Sequence, residues 1–458
     1  MVVHCIKITY YMEVQMKKQL LSLTLVTALT VTSFGTIALG QEEEDKEYLV
    51  LFKSNTINEE TSAEMEAGGA DILQEASKVG LVHVAAPESF LDEAEEMEDV
   101  SLVAENIDIF TNDYVLEADG ELSINEETIE ADLFEEYQWD IKRVTGNGKA
   151  WDITKGDHSV VVGVIDTGVD FTHPDLEDNL LYGKAFFPGA EEEDAYKDSG
   201  MHGTHVAGSI AANGRVLGVG PELGLASYRV TNDQGRMNWA GILDAITTAA
   251  DDGVDVANLS LGTYSTITNE AQRLLHLSSK RAVQYAHQEG MIIVGANGNN
   301  GMDLGKAVHT EKGEGKVYGP LFDTFTDIPG VVSVSSTTDR DTLAYYSNYG
   351  SSNVNLAAPG GDYGPNWPNP ENDQSLLVSE SRAYSTVPVS RGSYGWAMGT
   401  SMAAPKVAAA AALVKAENPQ FSRARTITHL QQTAEDLGKK GHDEYFGHGL
   451  VDAYNALK

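Results

Sequence analysis

Four strand-length runs in the second half of this chain are apolar with little alternation: residues 160–165, 254–258, 291–295 and 331–335, all rich in Val and Ile. A strand with one wet face alternates apolar and polar residues, so runs of this kind predict strands covered on both faces. Helical stretches at residues 242–250, 271–288 and 403–415 separate or follow them. The order predicts an α/β fold, a mostly parallel sheet with helices on both faces. Functional groups should gather at the carboxyl ends of its strands. Asp166 closes the first run at such an end.

Three motifs far apart in the chain place reactive side chains beside small residues. They are Val164-Ile165-Asp166-Thr167-Gly168, His202-Gly203-Thr204-His205-Val206-Ala207-Gly208 and Gly399-Thr400-Ser401-Met402-Ala403-Ala404-Pro405. A serine hydroxyl is a poor nucleophile at neutral pH, so it needs an imidazole to take its proton and a carboxylate to orient the ring. Taken singly, an Asp at a strand end, a His in a Gly-rich loop or a Ser at a helix start is a turn or capping residue. Together, in the order Asp, His, Ser, the motifs resemble the subtilisin family of serine peptidases, and the likeness runs from Trp139 to the carboxyl terminus. The resemblance implies catalysis by Asp166, His202 and Ser401, and it makes His205 a packed structural residue.

The same resemblance assigns further roles. Within Gly295-Ala296-Asn297-Gly298-Asn299-Asn300-Gly301 it gives the oxyanion-hole amide to Asn299 rather than Asn297. It makes Ser260-Leu261-Gly262 the edge on which an extended peptide adds as a strand, with residues 235–239 as the opposite wall. Family members commonly hold calcium in a loop after the catalytic histidine; here Ala212-Asn213-Gly214-Arg215-Val216-Leu217 is short and lacks acidic ligands, whereas a hard cation wants six to eight oxygens. No cofactor is therefore required and the usual strong calcium site is expected to be absent, with calcium binding elsewhere left open. Two details point to a branch of the family. Lys406 follows Pro405 where most members have His, and Gln138-Trp139-Asp140-Ile141 leads into the domain; both resemble the peptidases that remove leaders from lantibiotics.

The front of the chain reads as removable. Met16-Lys17-Lys18 and the apolar residues 20–39 look like a signal peptide ending near Gly40, with Met16 the natural start; an uncleaved anchor is the rival. The only cysteine, Cys5, would be lost with it, leaving no internal disulfide. Residues 41–130 hold 27 Asp and Glu against three Lys and no Arg, most of the net charge of −38, which argues against nucleic acid or an anionic membrane as partner. Residues 41–107 nevertheless keep apolar periodicity in the order β-α-β-β-α-β, with Ser89 expected to cap the second helix and Leu91 to face inward. That ferredoxin-like α+β pattern looks like the propeptide of the family, an intramolecular inhibitor. Residues 108–136 read as an acidic linker, with self-cleavage expected between Asn112 and Glu136, and residues 137–458 as the peptidase domain.

The linker contains no Lys or Arg, so self-cleavage there implies a first specificity pocket that accepts acidic residues. Lys306, His309, Lys312 and Lys316 are candidates for its cation. The expected protein is a monomeric, secreted, extracellular endopeptidase that frees its own propeptide and then removes the leader of a modified precursor peptide. A broad degradative subtilisin is the alternative. A silent binding protein fits less well because the triad is intact, and a metallohydrolase because no His-Glu-x-x-His motif occurs.

Overall fold

Seven parallel strands form the central sheet of the computed structural model, which describes residues 45–106, 131–265, 269–306 and 322–458. It also gives the backbone of the strands Ile109–Phe110, Glu117–Ala118, Val308–Thr310 and Lys316–Tyr318. The proposed signal peptide, most of the linker and Lys312 lie outside the described residues.

The amino-terminal part is built from β1 (Lys46–Phe52), α1 (Glu59–Ala67), β2 (Asp71–Ala76), β3 (Leu81–Ala86), α2 (Phe90–Glu95) and β4 (Val100–Glu105). Its four strands pair antiparallel in the order β2-β3-β1-β4. Strand β1 explains why an antiparallel sheet here carries an unbroken apolar run. Tyr48, Val50 and Phe52 pack with Met65 and Phe90 beneath the two helices, whereas Leu49 and Leu51 on the other face join the core of the larger part. Asn58 caps α1 by accepting from the Glu60 and Thr61 amides. Ser89 makes no side-chain capping bond to α2, and its backbone is already helical. Phe90 carries the inward role expected of Leu91, which is only partly buried.

The larger part follows through α3 (Trp139–Thr145), β5 (Val161–Asp166), β6 (Leu180–Ala185), α4 (His202–Ala211), β7 (Gly224–Arg229), α5 (Trp239–Asp251), β8 (Val256–Leu259), α6 (Glu270–Gln288), β9 (Ile292–Ala296), β10 (Val332–Thr337), β11 (Leu356–Pro359) and α7 (Thr400–Glu417). The sheet order is β11-β10-β9-β8-β5-β7-β6, every pair parallel. One core holds α4 and α7 with Val162, Val164, Val256 and Val294; another holds α5 and α6 with Ile165, Ala257 and Ile293. The alternate residues of each strand thus serve opposite faces, the arrangement that the apolar runs required. Helix α7 is buried from Thr400 through Val414, as an Ala-rich helix without a polar face must be.

Among the described residues no helix is long and apolar enough to cross a membrane.

Candidate active site

Strands β9, β8 and β5 lie side by side, and their carboxyl ends deliver Asn299, Ser260 and Asp166 to one region. Helices α4 and α7 start there and carry His202 and Ser401 in their first turns. His202 Nδ1 and Asp166 Oδ1 are 2.7 Å apart and both side chains are buried. The Thr167 amide donates to the same Asp166 oxygen at 2.7 Å. Such a carboxylate fixes the ring so that Nδ1 carries the proton and Nε2 can act as a base.

Two glycines allow this approach. Gly168 lies at φ +105°, a left-handed conformation that glycine adopts without a side-chain penalty. A β-carbon on Gly203 would collide with the carbonyl oxygen of Gly168, so the second motif needs glycine there.

A residue the sequence reading missed ties the two motifs together. Asp198 Oδ1 accepts from Thr167 Oγ1 at 2.7 Å and from the Gly200 and Met201 amides at 2.8 and 2.9 Å. Its Oδ2 accepts from the Thr204 amide at 2.9 Å and Thr204 Oγ1 at 2.6 Å. One carboxylate therefore satisfies the start of α4, where Met201 is held at φ +73° without a side-chain cap of its own. Burial pushes the Asp198 carboxyl upward against the lowering pull of Thr204 and Thr167.

Pro405 has a local consequence for Ser401. Lacking an N–H, it leaves the Ser401 carbonyl without its helical donor, and Ser260 Oγ donates to that carbonyl at 2.9 Å. Ser401 Oγ in turn donates to the Ser260 carbonyl at 3.2 Å. Ser401 is thus stitched to the proposed substrate edge.

Asn299 is oriented by an unambiguous donor. The Thr400 amide and Thr400 Oγ1 both bond to its Oδ1 at 2.9 Å; an amide N–H requires the oxygen as acceptor, so Nδ2 is turned away from Thr400. Asn297 is buried instead, and its Nδ2 donates to the Asn348 carbonyl at 3.1 Å. His205 is buried, with Nε2 3.2 Å from the Gly395 carbonyl. Burial first, then the charges of Lys406 and His202, push its pKa down to about 3.

A cleft lined by Ser260, Leu261, Gly262, Asn299, Thr400 and Ser401 also includes Tyr264, Ala296, Gly298 and Asp323. The expected cations are not among its described lining residues. Lys306 is exposed and pairs with Asp303 at 2.8 Å, because a long charged side chain on a surface turn keeps its head in water. His309 and Lys316 lie on the short strands Val308–Thr310 and Lys316–Tyr318. Among the described lining residues the carboxyl side chain is that of Asp323. Asp323 Oδ1 accepts from the Phe325 and Thr326 amides at 3.0 and 2.8 Å, and a β-carbon on Gly262 would lie 3.4 Å from its Oδ2. Burial, then the neighbouring Asp327, raise its pKa to about 7.

The loop after α4 is a tight turn closed by the Asn213–Leu217 bridge. Asp175 Oδ2 accepts the Val216 amide at 2.9 Å, and Arg215 pairs with Asp132 at 2.7 Å. Among the described residues no cluster of three or more His, Cys, Asp or Glu is placed to hold a metal ion.

Residues 157–449 match the model of the subtilase family, peptidase S8. The chain belongs to the subtilase family. It is a secreted serine peptidase with the subtilisin-like α/β fold, close in structure to lantibiotic leader peptidases. The epidermin leader peptide-processing serine protease of Staphylococcus epidermidis is 31% identical, over 71% of this chain and 75% of that protein. An alkaline protease of Alkalihalobacillus alcalophilus is 31% identical over 97% of this chain and all of its own length. The crystal structure of the epidermin leader peptide processing protease from Staphylococcus aureus superposes with a TM-score of 0.76 at 25% identity, over 91% of this chain and 98% of that one.

Proposed function

We propose that this subtilase removes the leader from a ribosomally made, lantibiotic-type precursor peptide after freeing itself of its own propeptide. Ser401 attacks the scissile carbonyl and His202 takes its proton. Asp166 steadies the imidazolium, while Asn299 Nδ2 and the Ser401 amide hold the oxyanion. Water then releases the acyl-enzyme. The observation that carries the chemistry is the 2.7 Å bond from His202 to Asp166 in a fold that brings Ser401 to the same strand ends. The similarity to two epidermin leader proteases supports the substrate class.

In this reading residues 41–107 contain a ferredoxin-like propeptide. The β2-β3-β1-β4 order, with both helices on one face, supports it, and so does the tail that follows. Ile109–Phe110 pairs antiparallel with Arg236–Met237, within the stretch expected as the second cleft wall, and Glu117–Ala118 pairs with Gly395 and Trp396 just ahead of Ser401. The chain is held on both sides of residues 111–116, so self-cleavage falls there, inside or at the edge of the acidic linker.

The side chain preceding the cut enters the pocket that Ser260, Gly262 and Asp323 line. A buried carboxylate there favours Lys or Arg in a separate substrate, which reverses the preference for acidic residues drawn from the linker and the candidates Lys306, His309, Lys312 and Lys316. Residues 111–116 hold no Lys or Arg, and the self-cut there relies on intramolecular tethering rather than on this pocket. Fluorogenic peptides differing only in that residue decide the matter, with labelling of Ser401 by a fluorophosphonate as the control. Preference for Lys or Arg supports the pocket assignment, and preference for Glu removes it. Equal cleavage of all of them favours the degradative alternative, for which the full-length likeness to an alkaline protease speaks.

A further inference from the structure

Helix α7 is buried all round, yet it carries a lysine one residue after Pro405. Lys406 is fully buried, and an unpaired ammonium in such a place would be strongly destabilising. Its partner is built into the chain: Nζ lies 2.7 Å from Asp140 Oδ2, also fully buried. The same Nζ donates at 2.9 Å to the carbonyl of Met402, the residue directly after the proposed nucleophile.

Asp140 belongs to the first turn of α3, and its flanks are pinned as tightly. Gln138 Nε2 donates to the carbonyls of Leu217 and Tyr384 at 3.0 and 3.1 Å, and its Oε1 accepts the Leu217 amide at 2.8 Å. Trp139 Nε1 donates to the Arg382 carbonyl at 2.9 Å. The two departures from the common family pattern, Lys406 and the Gln-Trp-Asp segment, are therefore one device. The charge of Lys406 also reaches the helix of the catalytic histidine, where it helps to keep His205 neutral.

We propose that Asp140 and Lys406 are positioning residues, an ion pair that clamps the first turn of α7 to the segment opening the peptidase domain and so sets the place of Ser401. The helix start supplies the nucleophile and an oxyanion amide, and small displacements of such groups are costly. It follows that processing must stop ahead of Gln138, since loss of Asp140 would strand the buried ammonium.

The inference rests on Ser401 being the nucleophile, and the test keeps the two apart. A buried ion pair can be exchanged for apolar residues of similar volume with little loss of stability, so the full-length precursor is made as the double variant Asp140→Leu/Lys406→Met. Active sites are counted by burst titration with a fluorophosphonate, and kcat and KM are expressed per titrated site. The expected result is a fall in kcat of about tenfold or more, with KM within about twofold of wild type. An unchanged kcat per site overturns the clamp, leaving the pair as packing alone. If the double variant yields no titratable sites, Lys406→Arg, which keeps the charge but not the compact contact to Met402, is read by the same criterion. A wild type that does not titrate refutes the Ser401 reading instead.

Discussion

Asp198 stands four residues ahead of His202 and bonds to the threonines that follow both Asp166 and His202. Exchanging it for Asn keeps the shape but replaces an acceptor oxygen with a donor, facing N–H or O–H groups that all need acceptors. Asp198→Asn should lower kcat by ~10²-fold with KM little changed, measured by steady-state kinetics per titrated site. Asp323 makes a prediction with a sign in pH. Its pKa of about 7 leaves it neutral below that value and charged above it. Selectivity for Lys or Arg over an uncharged side chain should therefore rise as pH increases through about 7, and Asp323→Asn should flatten the profile. A charge-assisted bond is worth roughly 1.5–3 kcal/mol, so the variant should lose about ten- to hundredfold in kcat/KM for the basic substrate.

At the scale of elements, the chain reveals what is buried on both faces and conceals what is packed by small residues. Strands β5, β8, β9 and β10 were legible because their Val and Ile runs have no other use. Strands β6, β7 and β11, with the sequences LLYGKA, GLASYR and LAAP, escaped notice because Gly, Ala and Ser do not mark a strand. Their pairing is set by neighbours rather than by propensity. The motif residues are readable from their flanks, whereas Asp198, Asp323 and the partner of Lys406 are not: each looks like an ordinary local carboxylate until the fold brings Thr167, Gly262 or α7 against it. Gly203 shows the element-scale constraint most sharply. Gly203→Ala would force α4 away from Gly168, and it should destabilise the protein and separate His202 from Asp166, seen as a lowered melting temperature and a loss of fluorophosphonate labelling.

Across the whole molecule, the amino-terminal sheet and the peptidase share a core through Leu49, Leu51, Val79 and Leu81, which cluster with Trp239, Leu274 and Val283 of α5 and α6. Arg281 of α6 adds a polar latch: Nη1 donates to the carbonyls of Phe52, Ser54 and Val79 at 2.9, 2.8 and 2.9 Å, and Nη2 to that of Lys53 at 3.2 Å. Burial lowers its pKa, the cost of holding a guanidinium among neutral carbonyls. In the processed enzyme Arg281→Gln should weaken retention of the cut propeptide by about tenfold or more, read as earlier loss of the fragment on size-exclusion chromatography. In the proposed function Ser401 is the agent of its own maturation, and the amino termini of the secreted wild type and of its Ser401→Ala variant test that directly by mass spectrometry. The wild type should be cut between Phe110 and Glu117, and the variant should be left uncut there. Identical cuts in both proteins would contradict it.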